Sequence, residues 1–161
     1  MRATVIAIVL VALAATTASA AVNDNAIEGW FDREGLYYDK VRPGYWTLDF
    51  QGDNYSPITL MITLRENDDG EPTYVTFWAL MQFIPDKVLR SDKKMYELNM
   101  HLLQIGYEQY LVKMVIDSDN QIGVQVELPS EGLTYEAFVK GLWRTVNVAD
   151  DDYPMIEQYL D

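Results

Sequence analysis

Few residues in this chain could carry chemistry. Among 161 residues there is one histidine, His101, and no cysteine. A Ser-His-Asp hydrolase needs a histidine base beside a positioned serine, and the strand-to-helix elbow G-x-S-x-G does not occur. His101 stands next to Leu102 and Leu103, where a lone imidazole is more often structural than a general base. Without cysteine there is no thiolate nucleophile. Zinc, which draws on several His and Cys ligands, is also disfavoured. No glycine-rich phosphate loop of the P-loop or dinucleotide type is present. No catalytic residue, no metal ligand and no cofactor is therefore expected.

Oxygen chemistry is the exception, because carboxylates abound. Asp117-Ser118-Asp119-Asn120-Gln121 begins somewhat like a calcium loop, but the sixth position, which must be glycine, is Ile122. Asp68-Asp69-Gly70-Glu71 and Asp150-Asp151-Asp152 read equally well as solvated turns. Paired carboxylates could serve a glycosidase, but 25 acidic residues guarantee accidental pairs. An acidic or calcium-assisted hydrolase is the enzymatic alternative that these residues leave open.

The elements that would position such groups follow from apolar periodicity. Residues 26–35 put Ile27, Trp30 and Phe31 at helical spacing, with Asn25 as a cap and Gly35 as a stop. Three period-two runs follow. Trp46, Leu48 and Phe50 alternate with polar residues, as do Ile58, Leu60, Ile62 and Leu64; from Tyr74 to Phe83 both parities are largely apolar. Gly52-Asp53-Asn54 with Pro57, and Asn67-Asp68-Asp69-Gly70, supply turns. Pro85 ends the third strand. A helix opened by Asp92 then carries Met95, Leu98, Leu102 and Ile105, with Gly106 as its stop. A hairpin of 110–116 and 122–128 precedes a helix opened by Thr134, with Tyr135, Phe138, Leu142 and Val146 on one stripe, and a last turn over 153–160. The expected fold class is α+β: one antiparallel five-stranded sheet with helices packed on it, in the order α-β-β-β-α-β-β-α.

The first twenty residues read differently. Met1-Arg2 is followed by an uncharged apolar stretch over Val5–Ala15 and by Ala18-Ser19-Ala20, the pattern of a secretory signal cut after Ala20. The apolar stretch is too short for a span of about 20 residues. The expectation is a 1–20 signal peptide and a single domain over 21–161, periplasmic or secreted, with no stable membrane span after cleavage. Net charge is −13, and −14 once Arg2 is removed. So acidic a chain is unsuited to nucleic acid, whose phosphates need a basic surface, or to anionic lipid.

Several local features resemble one family. Phe83-Ile84-Pro85 closes the third strand, and Leu98-Asn99-Met100-His101-Leu102 looks like a leucine-asparagine helix. Ile116-Asp117-Ser118-Asp119-Asn120-Gln121-Ile122 forms an acidic hairpin turn. Leu133 to Phe138, Ala149-Asp150 and Pro154 form a closing helix. In this order and spacing they resemble the YbjN-domain family, itself similar in fold to type III secretion chaperones. The resemblance covers about residues 26–160 and implies a binding or regulatory module with no catalytic motif. The export signal departs from the family's usual cytoplasmic members, which argues against an intracellular signalling or type III chaperone role.

A binding surface is expected where the sheet is not covered by helices. With Asp49, Gln51, Thr63 and Gln125 on the outer parity, Val75, Phe77, Ala79 and Met81 together with Met61 are expected to make an apolar centre there. Its occupant would be a protein or peptide partner, or a second copy in a homodimer. A structural envelope component is the remaining alternative.

Overall fold

The computed structural model describes residues 21–160; the expected signal peptide and its cleavage site therefore lie outside the described residues, apart from Ala21 itself. The elements are α1 (Asp24–Glu34), β1 (Asp39–Arg42), β2 (Tyr45–Phe50), β3 (Ile58–Glu66), β4 (Pro72–Phe83), α2 (Asp86–Leu89), α3 (Asp92–Glu108), β5 (Lys113–Ile116), β6 (Gln121–Pro129), α4 (Tyr135–Asp151) and α5 (Tyr153–Glu157). The sheet is antiparallel throughout, in the order β1-β2-β3-β4-β6-β5.

The sheet has six strands where the sequence predicts five. The added strand, β1, reads Asp-Lys-Val-Arg and is exposed along its length, so it carries no alternation to betray it. Its signal is the turn: Pro43 presets one dihedral angle and Gly44 supplies the left-handed one at φ 69°, folding β1 back onto β2. Helix α1 is capped by Asn23, not Asn25; the Asn23 side chain accepts from the Ala26 amide, while Gly35 ends the helix in the left-handed region as expected. Ser91 and Thr134 cap α3 and α4 in the same way. Helix α3 runs past Gly106 to Glu108, and β5 starts at Lys113 instead of 110.

All the helix packing falls on one face of the sheet. Trp46, Leu48, Ile58, Leu60, Ile62, Val75, Phe77, Ala79, Val124 and Val126 point inward and are buried. Helix α4 lies across β3, β4 and β6, and α3 lies beside β5. Phe31 of α1 meets Trp46 edge-on at 6.2 Å, and Phe138 of α4 tilts against Phe77 at 5.1 Å. The approach of α4 depends on Gly141: a Cβ there would stand 2.9 Å from Leu128 Cδ1 and 3.1 Å from Phe77 Cε2. Among the described residues no helix is long and apolar enough to cross a membrane.

Two loops are tied down by acceptor side chains. Asp117 Oδ1 accepts from the amides of Asp119 and Gln121, and Asn67 Oδ1 accepts from those of Asp69 and Glu71. The turn that resembled the start of a calcium loop thus uses Asp117 to brace its own hairpin.

Candidate functional site

The uncovered face is read from the strand registers. Met61 pairs with Trp78, Thr63 with Thr76 and Thr59 with Leu80 on one side; Trp78 pairs with Gln125 and Leu80 with Gly123 on the other. Val115 of β5 lies across from Gly123, and Lys113 from Gln125. Met61, Trp78, Leu80 and Val115, each half-buried, therefore form the apolar centre of this face. Around it stand Thr47, Asp49, Thr59, Thr63 and Glu127.

This corrects the expected patch. Met61 lies on the uncovered face as predicted. Val75, Phe77, Ala79 and Met81 do not: they point the other way, into the helix-packed core, and are almost completely buried. The structure separates Met61 from those four and joins it to Trp78 and Leu80. The cause is the register with β3: Ile62 lies opposite Phe77, Leu60 opposite Ala79 and Leu64 opposite Val75, so the buried parity of β3 carries Val75, Phe77 and Ala79 to the helix-packed side.

The site is built for a flat, adaptable contact. Trp78 lies down on the sheet because Gly123 has no side chain; a Cβ there would come within 2.4 Å of Trp78 Nε1. That Nε1–H is buried and has no hydrogen-bond partner among the described residues, and the Thr76 hydroxyl, on a residue only 3% exposed, is in the same condition. Buried polar groups without partners are uncommon in folded proteins. Beside them a shallow concavity of about 120 Å³ is bordered by Arg42, Tyr45, Met61, Arg65, Thr76 and Trp78. Two guanidinium groups and no carboxylate line it. The sequence carried a sign of this in Arg42 and Arg65, which belong to a chain with only 12 basic residues.

His101 has a different setting. Its ring lies 5.0 Å from that of Tyr159, and its buried Nε2 lacks a hydrogen-bond partner among the described residues. Nearby, Gln109 donates to Asp152 Oδ2 at 3.4 Å and accepts from Arg144. Burial, with Asp151 adding to it, pushes the Asp152 carboxyl above the ordinary carboxylate range. Among the described residues no serine or threonine hydroxyl is hydrogen-bonded to His101 Nε2. Among the described residues no three His, Asp or Glu side chains converge as a metal site would require.

No protein-family model matches the chain, and no curated protein matches it. Solved structures do. A chain of the heterodimeric ExoU–SpcU complex from the type III secretion system of Pseudomonas aeruginosa superposes with a TM-score of 0.53 at 15% identity, covering 84% of this chain and 98% of that one. An uncharacterized protein from Methanothermobacter thermautotrophicus gives 0.55 at 13% identity, over 85% and 98%. A chain of the ExsC–ExsE complex gives 0.51 at 14%, over 80% and 88%. The likeness is one of fold. It bears out an antiparallel α+β architecture of the kind found in type III secretion complexes, with one strand more than expected.

Proposed function

We propose that this chain is an exported, non-catalytic binding module that engages a polypeptide through the uncovered face of its sheet. The observation that carries this reading is the face itself: Met61, Trp78, Leu80 and Val115 form an apolar centre inside a polar rim, with Trp78 Nε1–H and the Thr76 hydroxyl at its middle lacking hydrogen-bond partners among the described residues. A contiguous apolar patch ringed by polar groups is the usual mark of an interaction surface, and tryptophan is the residue type most enriched where binding energy concentrates.

The partner's chemistry is suggested by the concavity. An apolar side chain would fill the space beside Met61 and Trp78, and an adjacent carboxylate would meet Arg42 and Arg65. Two of the similar solved structures are complexes, ExoU–SpcU and ExsC–ExsE, which supports a protein as the occupant. The YbjN-domain resemblance fits the same role. The basic-apolar-small pattern over 1–20 supports export, to the periplasm or beyond.

A peptide library containing aromatic and aliphatic residues next to aspartate or glutamate tests the reading. The protein should bind such peptides as a monomer, and Met61→Lys and Leu80→Lys should each abolish capture while leaving the melting temperature nearly unchanged. Binding that survives both substitutions, or a face occupied only by a second copy of the chain, would overturn it.

A further inference from the structure

A second cavity lies on the opposite, helix-packed side, and the uncovered face plays no part in it. Strand β5 pairs with β6 only from Gln125 back to Ile122, so Val126 to Pro129 of β6 have no strand neighbour on that edge among the described residues. Helix α3 ends at Glu108, and the chain between it and β5 swings aside. Between this turn and α4 the core is left open. The opening has a volume of about 330 Å³ and a floor of Val126, Leu128 and Gly141, with Tyr110 and Leu111 at its lip. That volume lies at the small end of the range for ligand pockets.

Two features set it apart from a packing defect. Leu111 holds a left-handed backbone at φ 67° without being glycine, a conformation that costs free energy and tends to persist at ligand clamps. Its side chain and that of Tyr110 are 45% and 74% exposed at the mouth. The second feature is charge. Lys140 and Arg144, one helical turn apart on α4, border the opening, and no carboxylate does, in a chain with 25 acidic residues and a net charge of −13. Arg144 is steadied by donating to Gln109, and Lys140 makes no ion pair among the described residues. An apolar slot with two cations at its rim is complementary to an aliphatic chain that ends in an anion.

We infer that this slot between β6 and α4 binds a medium-chain aliphatic carboxylate, its tail over Val126 and Leu128 and its head group between Lys140 and Arg144. Insertion removes apolar surface from water. The head group gains charge-assisted hydrogen bonds, bidentate ones at the guanidinium.

Decanoate below its micellar concentration is the probe, followed by calorimetry and by amide NMR of the purified protein. Saturable binding of one molecule per chain is expected, with shifts centred on Leu111, Leu128 and Gly141. Lys140→Glu, at an exposed position, should weaken it by about tenfold or more. Ala137→Phe, which places a ring over the opening from the exposed side of α4, should abolish it at an unchanged melting temperature. The inference is overturned if decanoate does not saturate, or if 1-decanol or decyltrimethylammonium binds as tightly. It is equally overturned if the shifts centre on Met61 and Trp78, or if only an acidic peptide enters the slot. Because the peptide-binding face lies on the other side of the sheet, either site can fail without the other.

Discussion

Two aspartates at the end of α4, two residues apart, should respond to acid in opposite directions. Asp150 ties the 51–57 loop to the helix: its Oδ1 accepts from the amides of Asn54 and Tyr55, both at 2.8 Å, and its Oδ2 accepts from that of Asp53 at 2.9 Å. The approach is so close that a Cβ on Gly52 would fall 2.3 Å from Asp150 Oδ1. The loop then delivers Tyr55, which stacks on Tyr153 at 4.4 Å and donates its hydroxyl to the Met81 carbonyl. A hydrogen bond to a charged group is worth about 1.5–3 kcal/mol. The groups here are partly exposed, so water replaces some of what is lost, and Asp150→Ala is expected to cost about 2–4 kcal/mol. In a domain of this size that lowers Tm by about 5–15 °C. Asp150→Asn keeps the Oδ1 acceptor but faces the Asp53 amide with a second donor, and should cost about half as much.

The pH dependence gives the sharper test. Burial works against ionisation of Asp150, but the backbone amides of Asp53, Tyr55 and Asn54 outweigh it and hold the carboxyl below its ordinary range. The stability that Asp150 contributes is therefore complete above the ordinary carboxylate pKa, and it disappears as pH falls through the lowered folded value. Asp152 is raised, chiefly by burial, so its contribution is favourable only at low pH and is lost as pH rises through the raised value. Asp152→Asn should accordingly stabilise the protein at neutral pH, by less than about 1 kcal/mol, with the gain vanishing in acid. Urea unfolding of the parent, Asp150→Ala and Asp152→Asn proteins from pH 7 down to the onset of acid unfolding measures both effects. An Asp150→Ala change within about 0.5 kcal/mol of the parent, or gaps that do not move with pH, would refute the reasoning.

Three further outcomes are expected. Gly123→Ala should displace the Trp78 indole, shift the tryptophan emission and cost about 1–3 kcal/mol through overpacking, measured by fluorescence-monitored unfolding. Gly141→Ala should also destabilise, although alanine favours a helix by about 1 kcal/mol, because its Cβ meets Leu128 and Phe77; a more stable variant would show that α4 can lift without cost. Calcium or magnesium should leave Tm unchanged, since Asp117 is engaged by its own turn; a rise with calcium would favour the hydrolytic alternative.

The sequence carried the strands and helices whose apolar residues recur on one side. Ile58, Leu60, Ile62 and Leu64 face the core as their alternation requires, and Leu98, Leu102 and Ile105 do so on α3. Strand β1 was not legible, because an edge strand exposed on both faces has no alternation; the Pro43-Gly44 turn was its only trace. The faces of β4 were not legible either. Both parities carry large apolar residues, so the choice rested on the register with β3, which sets Phe77 opposite Ile62 and Trp78 opposite Met61. The slot at Lys140 and Arg144 was hidden for a different reason. It exists because β5 stops short of the end of β6, a matter of strand length that periodicity does not report.

The most direct test of the account follows Trp78 itself. The indole Nε1–H resonance and the Met61 methyl resonance should both move, and should saturate together, when a peptide chosen from the library is titrated into the protein. If the peptide binds while those two signals stay still and the perturbed residues lie on α3 or β1, polypeptide recognition does not occur on the face assigned to it.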